Sequence, residues 1–344
     1  NGIPLEGIRI EDPSTSANRD RYADFLWRKR QRKGLSLAEA HQRLYKGIYY
    51  GSVMVACGDA DAVLGGLGKH YPETVRPALE VIGADARTGL VSGLYMLVFD
   101  KNVVFFGDTT VNIDPSAEQL ATIAVSSARA ARTFGVSPRV AMLSFSNFGS
   151  VKHSEAEKVA HAVQIARRMD PALVIDGEMQ ADTAFDQEIL AGRYPFSTLK
   201  DEANVLIFPN LSAGNIAYKL LTKLGGATAI GPILVGMQHP VHVLEQGADV
   251  QEIVNMAAVA VLDAQGLFDD TCTKRRMSAS RATSTMYRVP CAFTLAKSAT
   301  TRGWMTPAPC TTSAPAGSPS NRRTTSRRSV MSPATTSTPR AARA

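Results

Sequence analysis

Residues 204–265 decide the fold: NVLIFPNLSAGNIAYKLLTKLGGATAIGPILVGMQHPVHVLEQGADVQEIVNMAAVAVLDAQ. The apolar run 205–208 predicts a buried strand that a Pro-Asn turn closes. A helical pattern follows, with Ser212 as its expected N-cap and Gly225-Gly226 as its stop. The apolar run 230–235 predicts a second strand, and a last helical pattern closes on Gln265. Strand, helix, strand, helix is the rhythm of an α/β fold with a largely parallel sheet.

The same rhythm runs upstream. A polar helix is expected over 19–33, ending in the basic cluster Arg28, Lys29, Arg30, Arg32, Lys33 before Gly34, where cations suit a helix C-terminus and glycine suits a stop. Ser36 with Glu39 forms a capping box for a second helix. A short strand over 60–65, a helix over 72–82 carrying Arg76, and a hairpin of 94–99 and 103–106 come next. Asp114-Pro115 is the expected start of a long helix to Phe134. Strands over 140–144 and 173–176 flank a helix that Ser154-x-x-Glu157 is expected to cap.

Charge divides the chain at Gln265. Residues 1–265 carry 25 Lys+Arg against 29 Asp+Glu, and residues 266–344 carry 13 against 2, together the net +7 of the whole. The basic balance belongs to the tail, so it is no argument for nucleic-acid binding by the body. The tail is rich in Ser, Thr, Pro, Ala and Arg, has no acidic residue after Asp270 and shows no helix or strand period, a composition expected to be disordered. It reads either as a basic arm for nucleic acid or, the reading preferred here, as translation past a frameshift. Cys272, Cys291 and Cys310 lie in it at no zinc-like spacing, and Cys57 is expected as a reduced core residue, which suits the cytoplasm. No apolar stretch reaches membrane-spanning length and no signal peptide is visible. With Asn at position 1, the chain is expected to be a fragment.

The candidate sites each have a plain structural reading. Gly65-Gly66-Leu67-Gly68-Lys69 lacks the spacing and hydroxyl of a phosphate loop and is expected to be a turn. The segment 144–150, SFSNFGS, places Ser144, Ser146 and Ser150 between a strand and a helix, either as donors to an anion or as an ordinary loop. Asp176, Glu178 and Asp182 crowd one segment without a His, which suits capping or solvated carboxylates better than acid–base chemistry. His239-Pro240-Val241-His242 is expected to be loop structure. The residue pattern alone gives Arg30 and Arg76 no special standing.

Taken together, GDADAVLGGL, YPETVRPALEVIG, VAMLSFSNFGS, DGEMQADTA, ANVLIFPNLSAGNIAYK and GPILVGMQHPVHVL resemble the phosphate acetyl/butyryl transferase family over nearly all of 1–265. DTTVNIDPSAEQL, SFSNFGSVKHSEAEKV and IVNMAAVAVLDAQ resemble most the phosphotransacetylase-like C-terminal domain of bacterial NADP-dependent malic enzymes, the hybrid type. The resemblance implies two α/β subdomains, 1–90 with 238–265 and 91–237, layered as in isocitrate and isopropylmalate dehydrogenases, with CoA or acetyl-CoA in the cleft. It implies no metal in this domain; NADP and a divalent metal would belong to the missing malic enzyme part. A homo-oligomer is expected, with an acyl-CoA as partner and neither membrane nor nucleic acid.

Carried over residue by residue, Arg30 and Arg76 are the implied phosphate or CoA contacts. The departure lies before Ile253-Val254-Asn255-Met256. Active relatives carry Ser-Arg-Gly there and then a catalytic Asp, whereas this chain has Glu245-Gln246-Gly247 and Glu252. Catalysis is therefore expected to be lost, leaving a domain that senses acetyl-CoA; an active phosphate acetyltransferase is the alternative, and a basic-tailed nucleic-acid protein is ranked below both. The composition break gives a direct test: limited proteolysis is expected to trim the chain to about residue 265, within the few-residue error of such boundaries, and mass spectrometry of a resistant product reaching well past Gly266 would contradict it.

Overall fold

Apolar runs alternating with amphipathic helices build a mixed α/β architecture. The computed structural model describes residues 10–100 and 102–266. Its elements are α1 (Arg19–Arg30) with a following 3-10 turn (Gln31–Lys33), α2 (Leu37–Arg43), α3 (Gly47–Ala56), β1 (Val63–Gly65), α4 (Tyr71–Val81), β2 (Ser92–Val98), β3 (Val103–Gly107), α5 (Ala117–Thr133) and β4 (Arg139–Leu143). Then come α6 (Ser154–Met169), β5 (Val174–Met179), α7 (Ala181–Phe185), α8 (Gln187–Arg193), β6 (Val205–Ile207), α9 (Leu211–Lys223), β7 (Thr228–Val235), β8 (Val241–Val243) and α10 (Val250–Ala264). The expectations placed on 267–344, including the three tail cysteines, lie outside the described residues.

Six strands form one sheet in the order β5-β4-β6-β3-β2-β7. The contacts β5–β4, β4–β6 and β6–β3 are parallel, and β2 is antiparallel to both β3 and β7. The expected parallel sheet is thus present with one strand reversed, the first strand of the expected hairpin. Alternation along each strand feeds two cores. Phe105 joins Leu120, Ile123, Ala124, Val140 and Val163 on the face covered by α5 and α6, while Phe106 joins Tyr95, Leu206 and Tyr218 on the other. A second, two-stranded parallel sheet pairs β1 with β8. Tyr22, Leu26, Leu44, Val53 and Ile82 from α1 to α4 and its C-terminal turn pack with Val241 and Val243 into a third core.

Several caps differ from expectation, each time because a better-placed acceptor lies one or two residues away. Ser116, not Asp114, caps α5: its hydroxyl accepts from Gln119 N, and Gln119 returns the bond in a capping box. Asn210 caps α9 in place of Ser212. His153 caps α6 through Nδ1, and Ser154 becomes the first helical residue. The Ser36–Glu39 box is present as expected. The expected loop at 239–242 contains instead the start of β8, with His242 fully buried and its Nε2 3.0 Å from Asp263 Oδ2 of α10. Cys57 is half-buried and burial pushes its thiol pKa up.

Leu120 is fully buried between α5 and the sheet, whereas Leu224, just past α9, is 83 % exposed. Leu120→Ala is expected to destabilise by roughly 2–5 kcal/mol and Leu224→Ala by no more than about 0.5 kcal/mol. Urea denaturation of the two variants checks this.

Candidate active site

Helix α1 ends on Arg30, and one face of α4 carries Tyr71, Val75, Arg76 and Leu79 at helical spacing. Together with Pro72, Glu80, Thr110 and Val111 these side chains line a cavity of about 450 Å³. Neither guanidinium makes an ion pair or hydrogen bond among the described residues. Glu80, the carboxylate among the lining residues, is paired elsewhere: its Oε2 accepts from Arg43 and from the Tyr49 hydroxyl, each at 2.7 Å. Burial and the neighbouring charge of Arg30 together lower the pKa of Lys29. Two unneutralised cations on a concave wall draw an anion and strengthen its field there.

The far side of this cavity hangs on Asp108, 2 % exposed at the end of β3. Its carboxylate accepts from the backbone N–H groups of Gly93, Thr110, Val111 and Asn112 and from the Asn112 amide. That places Thr110 Oγ1 3.1 Å from the Tyr71 hydroxyl. Burial raises the Tyr71 pKa, with Asp108, Tyr218 and Glu245 adding to it, so the hydroxyl stays a neutral donor at ordinary pH.

A smaller cavity of about 150 Å³ is lined by Tyr95, Tyr218, Lys219, Thr222, Lys223, Glu245, Glu252 and Met256 among others. Glu245 accepts from the hydroxyls of Tyr95 and Tyr218, the second at 3.3 Å. Glu252 is committed to the start of α10: its Oε2 accepts from Asp249 N at 2.9 Å while its own N–H donates to Asp249 Oδ1 at 2.8 Å. Gln246 is exposed and lines neither cavity. Tyr71 lines the larger cavity and not the smaller one.

The serine loop lines neither cavity. Ser146 is buried and donates to Glu178 Oε1 at 3.0 Å, Gly149 N–H donates to the same oxygen at 2.6 Å, and Ser150 Oγ lies 3.2 Å from Ser146 Oγ. Ser144 Oγ accepts from Ser146 N. An anion does sit in this loop, and it is the chain's own Glu178. Phe148 adopts φ 49, in the left-handed region, and donates its N–H to Glu178 O. Asp176 is held by Arg167, Ser197 and Thr198, as structural carboxylates are. Gly66 turns at φ 116, and a Cβ there would meet Leu244 O at 2.7 Å, which fits a close-packed turn. No group of three His, Cys, Asp or Glu able to hold a metal occurs among the described residues.

A family model described as phosphate acetyl/butaryl transferase matches residues 1–261. The chain belongs to that family. A phosphate acetyltransferase of Nitratidesulfovibrio vulgaris is 39 % identical over 264 residues, covering 77 % of this chain and 38 % of the relative. That of Thermoanaerobacterium thermosaccharolyticum is 40 % identical over 271 residues, covering 77 % and 83 %. The crystal structure of a phosphotransacetylase from Streptococcus pyogenes superposes with a TM-score of 0.74 at 35 % identity, covering 77 % of this chain and 81 % of the other. The chain thus spans well under half the length of the first relative and most of the second. The fold is that of the phosphotransacetylases. These relatives are phosphate acetyltransferases by name, and nothing in them points to a malic enzyme.

Within this family frame, the structure brings Arg30 and Arg76 to one cavity and Glu245 and Glu252 to another, and it keeps Ser144, Ser146 and Ser150 apart from both. Sequence reading missed Tyr71, Thr110, Tyr95 and Tyr218. Tyr71 alone left a signal, one helical turn before Val75-Arg76 on the same α4 face. Neither arginine side chain makes a hydrogen bond or ion pair among the described residues, whereas Asp108 ties a strand to a turn. Arg76→Ala is therefore expected to leave stability within about 0.5 kcal/mol of the parent, and Asp108→Ala to cost about 3 kcal/mol or more through buried donors left unpaired. Guanidinium titrations of the two variants check the contrast.

Proposed function

We propose that this chain carries the chemistry of its relatives: reversible transfer of an acyl group, acetyl in the first instance, between CoA and phosphate. The observation that carries this reading is the pair of guanidiniums, Arg30 and Arg76, left without counterions on one cavity. CoA, its acyl thioester and phosphate are all anionic, and arginine meets phosphate oxygens in a bidentate fork. Tyr71 and Thr110 add neutral hydroxyls on the same cavity. The acyl carbon would pass between the CoA sulfur and a phosphate oxygen beside the Arg30–Arg76 wall. The reading places that site in a cleft between a subdomain of 1–90 with 238–265 and one of 91–237.

A second reading is favoured by the second cavity. The family resemblance puts a serine, an arginine and a catalytic aspartate at 245, 246 and 252. Here Glu245 is tied to two tyrosines, Gln246 carries no charge, and Glu252 completes the capping box that Asp249 opens on α10. A domain built this way would bind acyl-CoA and report it, as the regulatory part of a longer NADP-dependent malic enzyme, without turning it over.

One experiment separates the readings. The full chain is incubated with acetyl-CoA with and without phosphate, acetyl phosphate formation is followed by the phosphate-dependent release of the CoA thiol, and acetyl-CoA binding is measured by calorimetry. Acetyl phosphate formation that Arg30→Ala and Arg76→Ala suppress is the outcome expected of the transferase. Binding that each variant weakens by roughly 1.5–3 kcal/mol, with no acetyl phosphate formed, supports the sensor. Absence of acetyl-CoA binding contradicts both.

A further inference from the structure

Glu245 is an exposed residue whose carboxylate is nonetheless tied down. Its Oε1 accepts from the Tyr95 and Tyr218 hydroxyls. Both tyrosines are buried, and their rings stack with centroids 4.1 Å apart. Tyr95 comes from β2 and Tyr218 from α9, so the donors are fixed by the packed core while the acceptor comes from the loop after β8. Lys219 Nζ stands 4.9 Å from the centre of the Tyr218 ring, and Tyr218 followed by Glu245 raises its pKa. Burial, then Tyr218 and Glu245, keep the Tyr95 hydroxyl protonated.

Two fixed O–H donors beside an ammonium are the ingredients of an oxyanion seat. The surrounding cavity of about 150 Å³ suits a small oxyanion with its waters and not a nucleotide. The seat is full, because a side-chain carboxylate of the chain lies in it. Shortening that side chain would leave both hydroxyls without an acceptor and would remove the negative charge that repels a dianion.

We propose that Glu245 is a tethered anion, filling a small-oxyanion seat made by the Tyr95 and Tyr218 hydroxyls and so deciding whether inorganic phosphate enters this cavity. The seat stands on its own geometry; its bearing on function rests on the sensor reading above, in which the domain holds acyl-CoA without passing the acyl group to phosphate. The parent excludes phosphate from the seat, and a variant lacking the carboxylate admits it.

The test uses the full chain and inorganic phosphate, followed by calorimetry, with circular dichroism confirming that each variant is folded. Glu245→Ala is expected to bind phosphate roughly 10- to 100-fold more tightly than the parent, the factor that one or two hydrogen bonds to a charged acceptor supply. The gain is expected to vanish in Glu245→Ala combined with Tyr95→Phe or with Tyr218→Phe. Glu245→Ser, which is smaller and polar, repeats the measurement if the alanine variant does not fold. Folded Glu245 variants that bind phosphate no better than the parent overturn the proposal, as does a gain that survives loss of both tyrosine hydroxyls. Acetyl-CoA calorimetry on the same samples keeps the two readings apart. Lost coenzyme binding with the phosphate gain intact counts against the function and not the seat, and the reverse result counts against the seat alone.

Discussion

A buried carboxylate must be hydrogen-bonded on all sides or it costs more than the fold can spare. Asp108 meets that demand with five donors drawn from β2, from the turn after β3 and from Asn112. The constraint reaches far. It fixes the turn against the one reversed strand of the sheet, and it holds Thr110 and Val111 as one wall of the larger cavity. The opposite wall is a helix face carrying Arg76. The cavity therefore has a polar side and a charged side, and Glu80, the carboxylate among its lining residues, is paired with Arg43 and Tyr49.

The molecule places internal anions at several points where an anion could have been a ligand. Glu178 fills the loop of small hydroxyl residues after β4. Glu245 fills the gap between two stacked tyrosines. At the Arg30–Arg76 wall no carboxylate of the described residues pairs with either guanidinium. That contrast is why the larger cavity is the one proposed to take an anion: Arg30 is half-buried, Arg76 is exposed, and both are open to a ligand.

Much of the fold was legible because it follows from local pattern. The apolar runs around Val205 and Ile233 are strands, the Ser36–Glu39 box caps a helix, and the 94–106 hairpin reverses β2. What escaped depends on partners distant in sequence. His242 looked like loop because nothing nearby shows that Val241 pairs with Val63 or that Asp263 waits for its ring. The caps at Asn210, Ser116 and His153 were misplaced because several acceptors stand within one turn and only backbone geometry selects among them. At the site, the family resemblance supplied Arg30 and Arg76, but the roles of Tyr95 and Tyr218 could not be read. Both are ordinary apolar-strand and helix residues until the chain brings Glu245 between them.

The pairing of β1 with β8 has a consequence for how this chain is made. Val63 finds its strand partner at Val241, about 180 residues later. At usual elongation rates that distance takes the ribosome roughly 10–35 s. During that interval α1 to α4 have left the ribosome with the apolar surface meant for Val241 and Val243 still uncovered. Five strands of the larger sheet, β2 to β6, lie between Ser92 and Ile207 and emerge before Val241, while β7 ends only shortly before it. The order of synthesis thus favours a nearly finished central sheet beside an unfinished N-terminal layer, and the nascent chain in that state exposes the apolar surface that chaperones bind.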